Sequence, residues 1–213
     1  MAFIPGDNNS NFLIGTNSAD WILGYGGNDD LEGNDGNDLI SGGSGNDAIY
    51  GENGRDTLSG DNGSDLMYGG NGNDFIYGNA GNDFIYGNAG NDFINGGSEN
   101  DAINGFGDGQ EYDTLTGGGG ANDFYLGEFS QLYYTGLGYA TITDFNWLFD
   151  DLIVPANISI DDYTIDTINV SGGAAVDTLI RYGRGDWIAV LEDVNLTNIN
   201  PTVYFEEALP PVP

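Results

Sequence analysis

The sequence contains no cysteine and no histidine, and its three basic residues are all arginines. Without cysteine the chain forms no disulfide and no zinc–thiolate site. Without histidine it lacks the usual imidazole metal ligand and general base. Without lysine it has neither a Schiff-base nucleophile nor a phosphate-binding loop of the Walker type. Catalysis would rest on aspartate, glutamate, tyrosine or serine alone, and we therefore predict that the chain is not an enzyme.

The shortage of basic residues leaves 34 acidic residues against three arginines, a formal net charge of −31. Such a chain repels the phosphates of nucleic acids and of anionic membranes. No apolar run approaches the roughly 20 residues that span a bilayer, and the N-terminus lacks the basic and apolar regions of a secretory signal peptide. We predict no nucleic-acid partner and no membrane span. Dense carboxylates suit a hard cation that is bound through oxygen ligands.

Between Gly15 and Asn104 the sequence repeats every nine residues in ten consecutive blocks. The first position is glycine, the sixth is aspartate and the eighth is isoleucine, leucine or methionine in all ten blocks. The fourth position is glycine except at Ser18 and Glu99. So strict a short period indicates one local structure that is stacked repeatedly.

Each block reads as a six-residue polar loop followed by a three-residue strand, because glycine, asparagine and aspartate favour tight turns. Two blocks then form one 18-residue turn of a flattened coil, and each block lies over the second block after it. We predict an all-β fold: a lead-in at 1–14, a parallel β-roll at 15–126 and a β-rich cap at 127–213. The predicted core consists of Ile22, Leu31, Ile40, Ile49, Leu58, Met67, Ile76, Ile85, Ile94 and Ile103.

Stacking sorts the sixth-position aspartates into two columns with neighbours about 4.8 Å apart. One column contains Asp20, Asp38, Asp56, Asp74 and Asp92, and the other contains Asp29, Asp47, Asp65, Asp83 and Asp101. Carboxylates at that distance repel one another strongly. A Ca²⁺ ion between adjacent pairs would bridge them, with loop carbonyls completing its six to eight oxygen ligands. The alternative is that these aspartates only form turns and carry solvated charge.

The nine-residue blocks resemble the RTX, or haemolysin-type, calcium-binding β-roll family, whose repeat is G-G-x-G-x-D-x-U-x. The resemblance covers about residues 15–126 and implies about eight or more Ca²⁺ ions, held by the sixth-position aspartates and by carbonyls of the first loop positions. The fourth-position glycines expected to contribute are Gly27, Gly36, Gly45, Gly54, Gly63, Gly72, Gly81 and Gly90. The resemblance also implies an extracellular protein that folds on calcium outside the cell, because ligands absent from a preformed site turn binding energy into folding energy.

After Asn104 the register slips by three residues. Asp113 and Asp123 are predicted to take the sixth position in two further blocks, with Leu115 and Tyr125 at the eighth. The stretch I-T-D-F at 142–145, followed by D-L-I at 151–153, resembles a feature common after RTX repeats, including in serralysin-like C-terminal regions. Its Asp144 and Asp151 either ligate one more calcium or cap turns. In such proteins the C-terminal tail is an uncleaved type I secretion signal.

Strand positions seven and nine face outward and carry apolar side chains. One predicted face carries Trp21, Leu39, Phe75 and Phe93, the other carries Leu66 and Phe84, and Tyr50, Tyr68 and Tyr86 form a ladder. Exposed aromatic strips mark contacts, although cross-strand stacking alone would also explain them. We predict a secreted structural protein that assembles into, or associates with, a cell-surface layer or fibre. The alternatives are a calcium-dependent adhesin that binds glycans, and the secretion and folding module of a larger enzyme.

Overall fold

The computed structural model describes residues 1–107, 110–128, 131–132, 139–146, 148–154, 163–168, 177–182, 186–191 and 205–207. All regular elements in these ranges are β-strands, as the nine-residue pattern predicts. A helix long and apolar enough to cross a membrane does not occur among them.

Two sheets are built from alternate strands of the chain. The first sheet contains, in spatial order, β1 (Phe3–Pro5), β3 (Trp21–Gly26), β5 (Leu39–Ser44), β7 (Thr57–Asn62), β9 (Phe75–Ala80), β11 (Phe93–Ser98), β13 (Tyr112–Gly118), β17 (Tyr139–Ile142), β21 (Asp186–Leu191), β20 (Asp177–Tyr182) and β19 (Tyr163–Ile168). The second contains β2 (Phe12–Ile14), β4 (Asp30–Glu32), β6 (Ala48–Asn53), β8 (Leu66–Asn71), β10 (Phe84–Ala89), β12 (Ala102–Asn104), β14 (Asp123–Tyr125), β18 (Asp151–Val154) and β22 (Phe205–Glu207). A short antiparallel pair joins β15 (Gly127–Glu128) to β16 (Gln131–Leu132).

The register between neighbouring strands of the roll is 18 residues. Ile22 lies opposite Ile40 in the first sheet, and Met67 lies opposite Ile85 in the second, both in parallel pairs. All ten eighth-position side chains are fully buried between the two sheets. The predicted parallel coil of two blocks per turn, and its thin aliphatic core, are therefore confirmed.

The strands are longer than the predicted three residues. In eight of the ten blocks the strand, such as β9, spans six residues and continues through the first three positions of the next block. The turn is thereby reduced to positions four to six. The strand can continue because the second position adopts the left-handed region, where even Tyr25 and Glu52 have φ of 73°. The excess glycine and asparagine at these positions thus reflects a kinked strand rather than a loop.

The roll begins before the first recognisable block. In β1, Ile4 lies opposite Ile22, and in β2, Leu13 lies opposite Leu31. The residues expected as a lead-in at 1–14 therefore form a turn with the same 18-residue register. This turn has no aspartate at the sixth position, which is why the repeat pattern does not include it.

The three-residue insertion changes the register of both sheets by the same amount. Ile94 lies opposite Leu115, as predicted, and Ile103 lies opposite Phe124, each 21 residues later. The eighth position of the last block is thus Phe124, which is fully buried, and the prediction of Tyr125 is wrong by one residue.

The β-rich segment after residue 126 extends the two sheets of the roll. Strands β17 and β18 continue the parallel stacks, and β19, β20 and β21 pair antiparallel at the end of the first sheet. Phe145, Leu152 and Leu191 join the hydrophobic core. The expected secretion signal falls at the C-terminal tail, of which residues 208–213 lie outside the described residues.

Candidate calcium sites

The sixth-position aspartates are buried and linked from turn to turn. The ten from Asp20 to Asp101 are each no more than 3 % exposed. In both columns the backbone N–H of one aspartate donates to Oδ1 of the aspartate 18 residues later, as from Asp38 to Asp56 and from Asp47 to Asp65, at 2.7 and 2.8 Å. One oxygen of each of these carboxylates therefore fastens its turn to the preceding one.

The second carboxylate oxygen of nine aspartates has no hydrogen-bond partner, although it is buried. These nine Oδ2 atoms belong to Asp29, Asp38, Asp47, Asp56, Asp65, Asp74, Asp83, Asp92 and Asp101. A buried and unpaired charged oxygen is strongly unfavourable. Nine of them in one register indicate that a ligand is required at each position.

Each unpaired oxygen lies beside a glycine carbonyl from the next turn. A methyl carbon built on Gly69 would lie 2.6 Å from Oδ2 of Asp74 and 2.6 Å from the carbonyl oxygen of Gly87. At Gly33 the same carbon would lie 2.6 Å from Oδ2 of Asp38 and 2.7 Å from the carbonyl oxygen of Gly51. The first position is glycine because two oxygens line the space that a side chain would fill.

The donor set fits a hard cation. No group of three or more acidic side chains converges on one point in the described part of the chain, and a neutral glycine carbonyl oxygen lies beside each unpaired carboxylate oxygen. Ca²⁺ accepts such mixed oxygen ligands in flexible geometry, whereas Mg²⁺ retains its waters and requires a small octahedron. The arrangement therefore suits calcium better than magnesium or a metal that prefers nitrogen or sulfur ligands.

The fourth-position glycines have a different environment. Gly54 has φ of 147°, and a side chain there would overlap the carbonyl oxygen of Gly36 in the preceding turn. The same contact joins Gly45 to Gly27 and Gly72 to Gly54. The carbonyls beside the unpaired aspartate oxygens belong instead to first-position glycines, which are among the first loop positions named from the family resemblance. Ligation by the fourth-position carbonyls stays a prediction.

Burial disfavours the charged form of eight column aspartates, those from Asp38 to Asp101. It raises the pKa of Asp56 and Asp65 to about 7 and the pKa of Asp92 to about 9, and the neighbouring carboxylates of the column add to the effect. The backbone N–H bonds to Oδ1 act in the opposite direction but do not cancel it. A calcium-free roll must therefore either hold several protons or bury several unpaired charges.

The N-terminal end of one column is closed by a threonine. Oδ2 of Asp20 accepts bonds from the Thr16 hydroxyl at 2.7 Å and the Thr16 N–H at 2.6 Å, and its Oδ1 accepts the N–H of Ala2. These bonds, the hydroxyl first, lower the pKa of Asp20. Among the predicted ligands Asp20 thus differs from its neighbours, because both of its oxygens are already paired.

At the C-terminal end the predicted ligand Asp123 is wrong by one residue. Asn122 takes the sixth position: its Oδ1 accepts the N–H of Asp101 at 3.0 Å, and a carbon on Gly117 would lie 2.6 Å from its Nδ2. Asp123 follows at the seventh position, opposite Ala102. Asp113, the other ligand predicted after the three-residue insertion, does take the sixth position and accepts the N–H of Asp92 at 2.9 Å.

Three further carboxylates follow the roll. Asp144 accepts the N–H groups of Gly117 and Gly118 at 2.8 and 2.7 Å, which favours its role as a turn cap. Asp151 begins β18 at the seventh position, opposite Asp123. Asp150, which sequence reasoning missed, continues the column.

The carboxylate of Asp150 is held by backbone donors. Its Oδ1 accepts the N–H of Asn122 at 2.9 Å, and its Oδ2 accepts the N–H of Asn146 at 2.7 Å. Counting back from the buried Leu152 to the sixth position would have identified it.

Sequence reasoning also missed a ladder of asparagines at the fifth position. The N–H of Asn46 donates to Oδ1 of Asn28, and that of Asn91 donates to Oδ1 of Asn73, both at 3.1 Å. The signal was present, because seven of the ten blocks have asparagine there. These bonds join successive turns outside the aspartate columns and align the loops that carry the sites.

Replacement of Asp74 by asparagine should stabilise the fold without calcium and weaken calcium binding. Asp74→Asn keeps the Oδ1 that accepts the Asp56 N–H at 2.8 Å, but it removes the buried charge and directs an NH₂ group towards the Gly87 carbonyl. We expect the calcium-free fold to gain about 1–2 kcal/mol and calcium binding to lose one site. Folded fractions measured by circular dichroism in trimethylamine N-oxide, with and without calcium, check both effects.

The matched control for this substitution is Asp30→Asn, because Asp30 is exposed at the seventh position. It removes the same charge and should change neither quantity by more than about 0.5 kcal/mol. Equal effects of the two substitutions would contradict a special role for the buried oxygen.

Acid should favour the calcium-free fold and weaken calcium binding. The folded-state pKa values of about 6 for Asp74 and about 7 for Asp56 lie above the unfolded value near 3.9. The folded state therefore binds more protons, and its calcium-free stability falls as pH rises from about 4 to about 7. Circular dichroism of dilute, calcium-free protein across this range should show folding on acidification. Loss of structure on acidification would contradict the buried-carboxylate account.

Comparison with protein families identifies the RTX calcium-binding nonapeptide repeat in four copies, at residues 5–40, 32–67, 68–103 and 108–130. No curated protein sequence matches the chain significantly. Among solved structures, the extracellular lipase LipA from Serratia marcescens is similar, with 17% identity, a TM-score of 0.43 and coverage of 95% of this chain. The chain spans 39% of the length of that lipase.

A subunit of the Azotobacter vinelandii mannuronan C5-epimerase, AlgE6R3, is also similar, with 19% identity and a TM-score of 0.37. The match covers 78% of this chain and 91% of that subunit. The family match includes more than half of the residues and coincides with the stacked turns that carry the aspartate columns. The chain belongs to the RTX calcium-binding nonapeptide repeat family.

Proposed function

We propose that this chain is a secreted structural protein that folds on calcium outside the cell and then assembles into, or associates with, a cell-surface layer or fibre. The observation that carries the calcium-dependent part is the set of nine buried aspartate oxygens without a partner. Secretion is what membership of the family implies.

Calcium binding and folding should be one process. The two oxygens of each site come from different turns, for example Oδ2 of Asp74 and the Gly87 carbonyl, so the site does not exist until the turns stack. A bound Ca²⁺ supplies positive charge that neutralises the buried carboxylate. The chain's own part is to hold the carboxylate with a backbone N–H and to keep the first position free of side chains. Binding free energy thereby becomes folding free energy.

The unpaired oxygens indicate a stoichiometry of nine calcium ions. We expect a calcium-free chain at neutral pH to lack β-structure and to gain it cooperatively on titration with calcium, whereas equal concentrations of Mg²⁺ have little effect. Elemental analysis after gel filtration counts the ions, and circular dichroism follows folding. A full β-spectrum in a chelator at pH 7, or a count of two or three ions, would contradict the proposal.

The outer faces of the roll support the assembly part. Trp21 and Leu39 lie opposite each other in register on the first sheet and are 41 and 44% exposed, and Phe84 on the second sheet is 44% exposed. Apolar side chains of this size on a regular, flat surface mark contacts with another surface.

The geometry of the tyrosine ladder argues against glycan binding at these rings. The rings of Tyr50 and Tyr68 stack at 5.4 Å with an angle of 3°, and those of Tyr68 and Tyr86 stack at 4.8 Å with an angle of 8°. Their flat faces cover one another, so that little ring face remains for a sugar. The ladder instead stabilises neighbouring strands of the second sheet.

Assembly should require both calcium and the apolar side chains of the first sheet. We expect light scattering to rise with protein concentration in calcium, and the double substitution Trp21→Ser and Leu39→Ser to reduce that rise severalfold without changing calcium-induced folding. Thr57→Ser, on the same face, is the matched control. If the protein stays monomeric at high concentration and binds to a glycan array in calcium, the result contradicts assembly and supports adhesion.

A further inference from the structure

At the N-terminal end of the roll, two strand edges have no neighbour among the described strands. β1 is the terminal strand of the first sheet and β2 is the terminal strand of the second. Behind them Ile4 and Leu13 are only partly buried against the core. An open solenoid end of this kind presents both backbone hydrogen-bonding groups and apolar side chains.

The hydrogen bonds of β2 show which backbone groups face outward. The carbonyl of Asn11 accepts the N–H of Asp30 at 2.9 Å, and the N–H of Gly15 donates to the carbonyl of Glu32 at 2.6 Å. Because backbone direction alternates along a strand, Phe12 and Ile14 point their N–H and C=O groups away from the sheet. Their side chains are 62 and 45% exposed.

The edge of β1 is different, because it contains a proline. The carbonyl of Ala2 accepts the N–H of Trp21, and the N–H of Gly6 donates to Leu23, so Phe3 and Pro5 face outward. Pro5 has no N–H and leaves a gap in the row of donors. Pro5 and Ile14 occupy the same ninth position in their strands, opposite Leu23 and Glu32. The edge of β1 therefore lacks one N–H donor, whereas the edge of β2 has all of its donors.

The N-terminal end also carries little charge, although the chain has a formal net charge of −31. Residues 1–19 contain one carboxylate, Asp7. The sixth positions of this turn are Ala2 and Asn11, whose N–H groups donate to Asp20 and Asp29. A second copy of the chain meets less electrostatic repulsion here than along the acidic loops.

We propose that two copies of the chain join N-terminal end to N-terminal end through the edge of β2, a contact that rests on the assembly proposed above. A two-fold axis at Leu13 pairs the two β2 strands antiparallel, so that Phe12 of each copy lies opposite Ile14 of the partner subunit. Such an edge is complementary to itself because each outward N–H meets an outward carbonyl. The pairing also covers the open sides of Ile4 and Leu13.

The contact is small, and its two-fold symmetry limits it to a dimer. It joins two rolls into one longer roll and does not propagate, since both N-terminal ends are used. An interface limited to the end of a roll falls below the standard size of stable complexes, and we expect a dissociation constant of about 10–100 μM. Growth into a layer or fibre then depends on the outward aromatic side chains and is a separate event.

Sedimentation equilibrium of the 213-residue chain in calcium, from about 1 μM to about 1 mM, tests the dimer. Ile14→Pro places in β2 the residue that β1 has at the equivalent position, and should weaken dimerisation at least about tenfold by removing two symmetric hydrogen bonds. The same two-fold axis brings the edge of β1 against β1 of the partner subunit, and Pro5→Ile, which restores the missing donor there, should tighten dimerisation severalfold. Ile14→Val keeps the N–H and is the matched control.

The outcomes separate this contact from the proposed function. Calcium-induced circular dichroism of each variant establishes that the roll folds, independently of its mass. A folded wild-type protein that stays monomeric at about 1 mM, or a dimer that neither proline substitution changes, overturns the end-to-end contact and leaves calcium-dependent folding intact. Larger assemblies that Ile14→Pro leaves unaltered support lateral assembly alone. Failure of the wild-type chain to fold in calcium contradicts the proposed function itself.

Discussion

The sixth-position aspartate performs two tasks with its two oxygens, and the rest of the roll depends on this division. Oδ1 accepts the N–H of the preceding turn, as in the 2.8 Å bond from Asp56 to Asp74, and so sets the spacing of the stack. Oδ2 remains buried and unpaired. Because the first task requires burial, and burial makes an unpaired and charged Oδ2 unfavourable, a bound cation or a proton on the carboxylate favours stacking of the turns at neutral pH.

The ends of both columns show how the roll avoids this cost where the unpaired aspartates stop. Ala2 and Ala140 flank one column in register, and Asn11 and Asn122 flank the unpaired aspartates of the other. Where a carboxylate does remain near an end, hydrogen-bond donors surround it: Thr16 holds Asp20, and two backbone N–H groups hold Asp150. Neutral residues and local donors therefore take the place of a cation at the ends of the columns.

Much of this architecture could be predicted because it is strictly periodic. A nine-residue period with aliphatic eighth positions is sufficient to predict the parallel register, the buried core and the two aspartate columns. The exceptions at the end of the column share a physical cause: they depend on hydrogen bonds made by single residues rather than on the repeat. Asn122 replaces an aspartate in the column, and Asp150 closes it with two backbone donors.

Calcium would also decide where two copies of the chain can meet. Nine divalent ions add 18 positive charges to a formal −31 and leave −13, so long-range repulsion between copies falls sharply when the roll folds. The remaining charge lies along the loops and on residues such as Asp30 and Glu32, beside β2. The N-terminal end has neutral sixth positions and one intact strand edge. Because that edge exists only in the folded roll, folding and association should share the same calcium dependence.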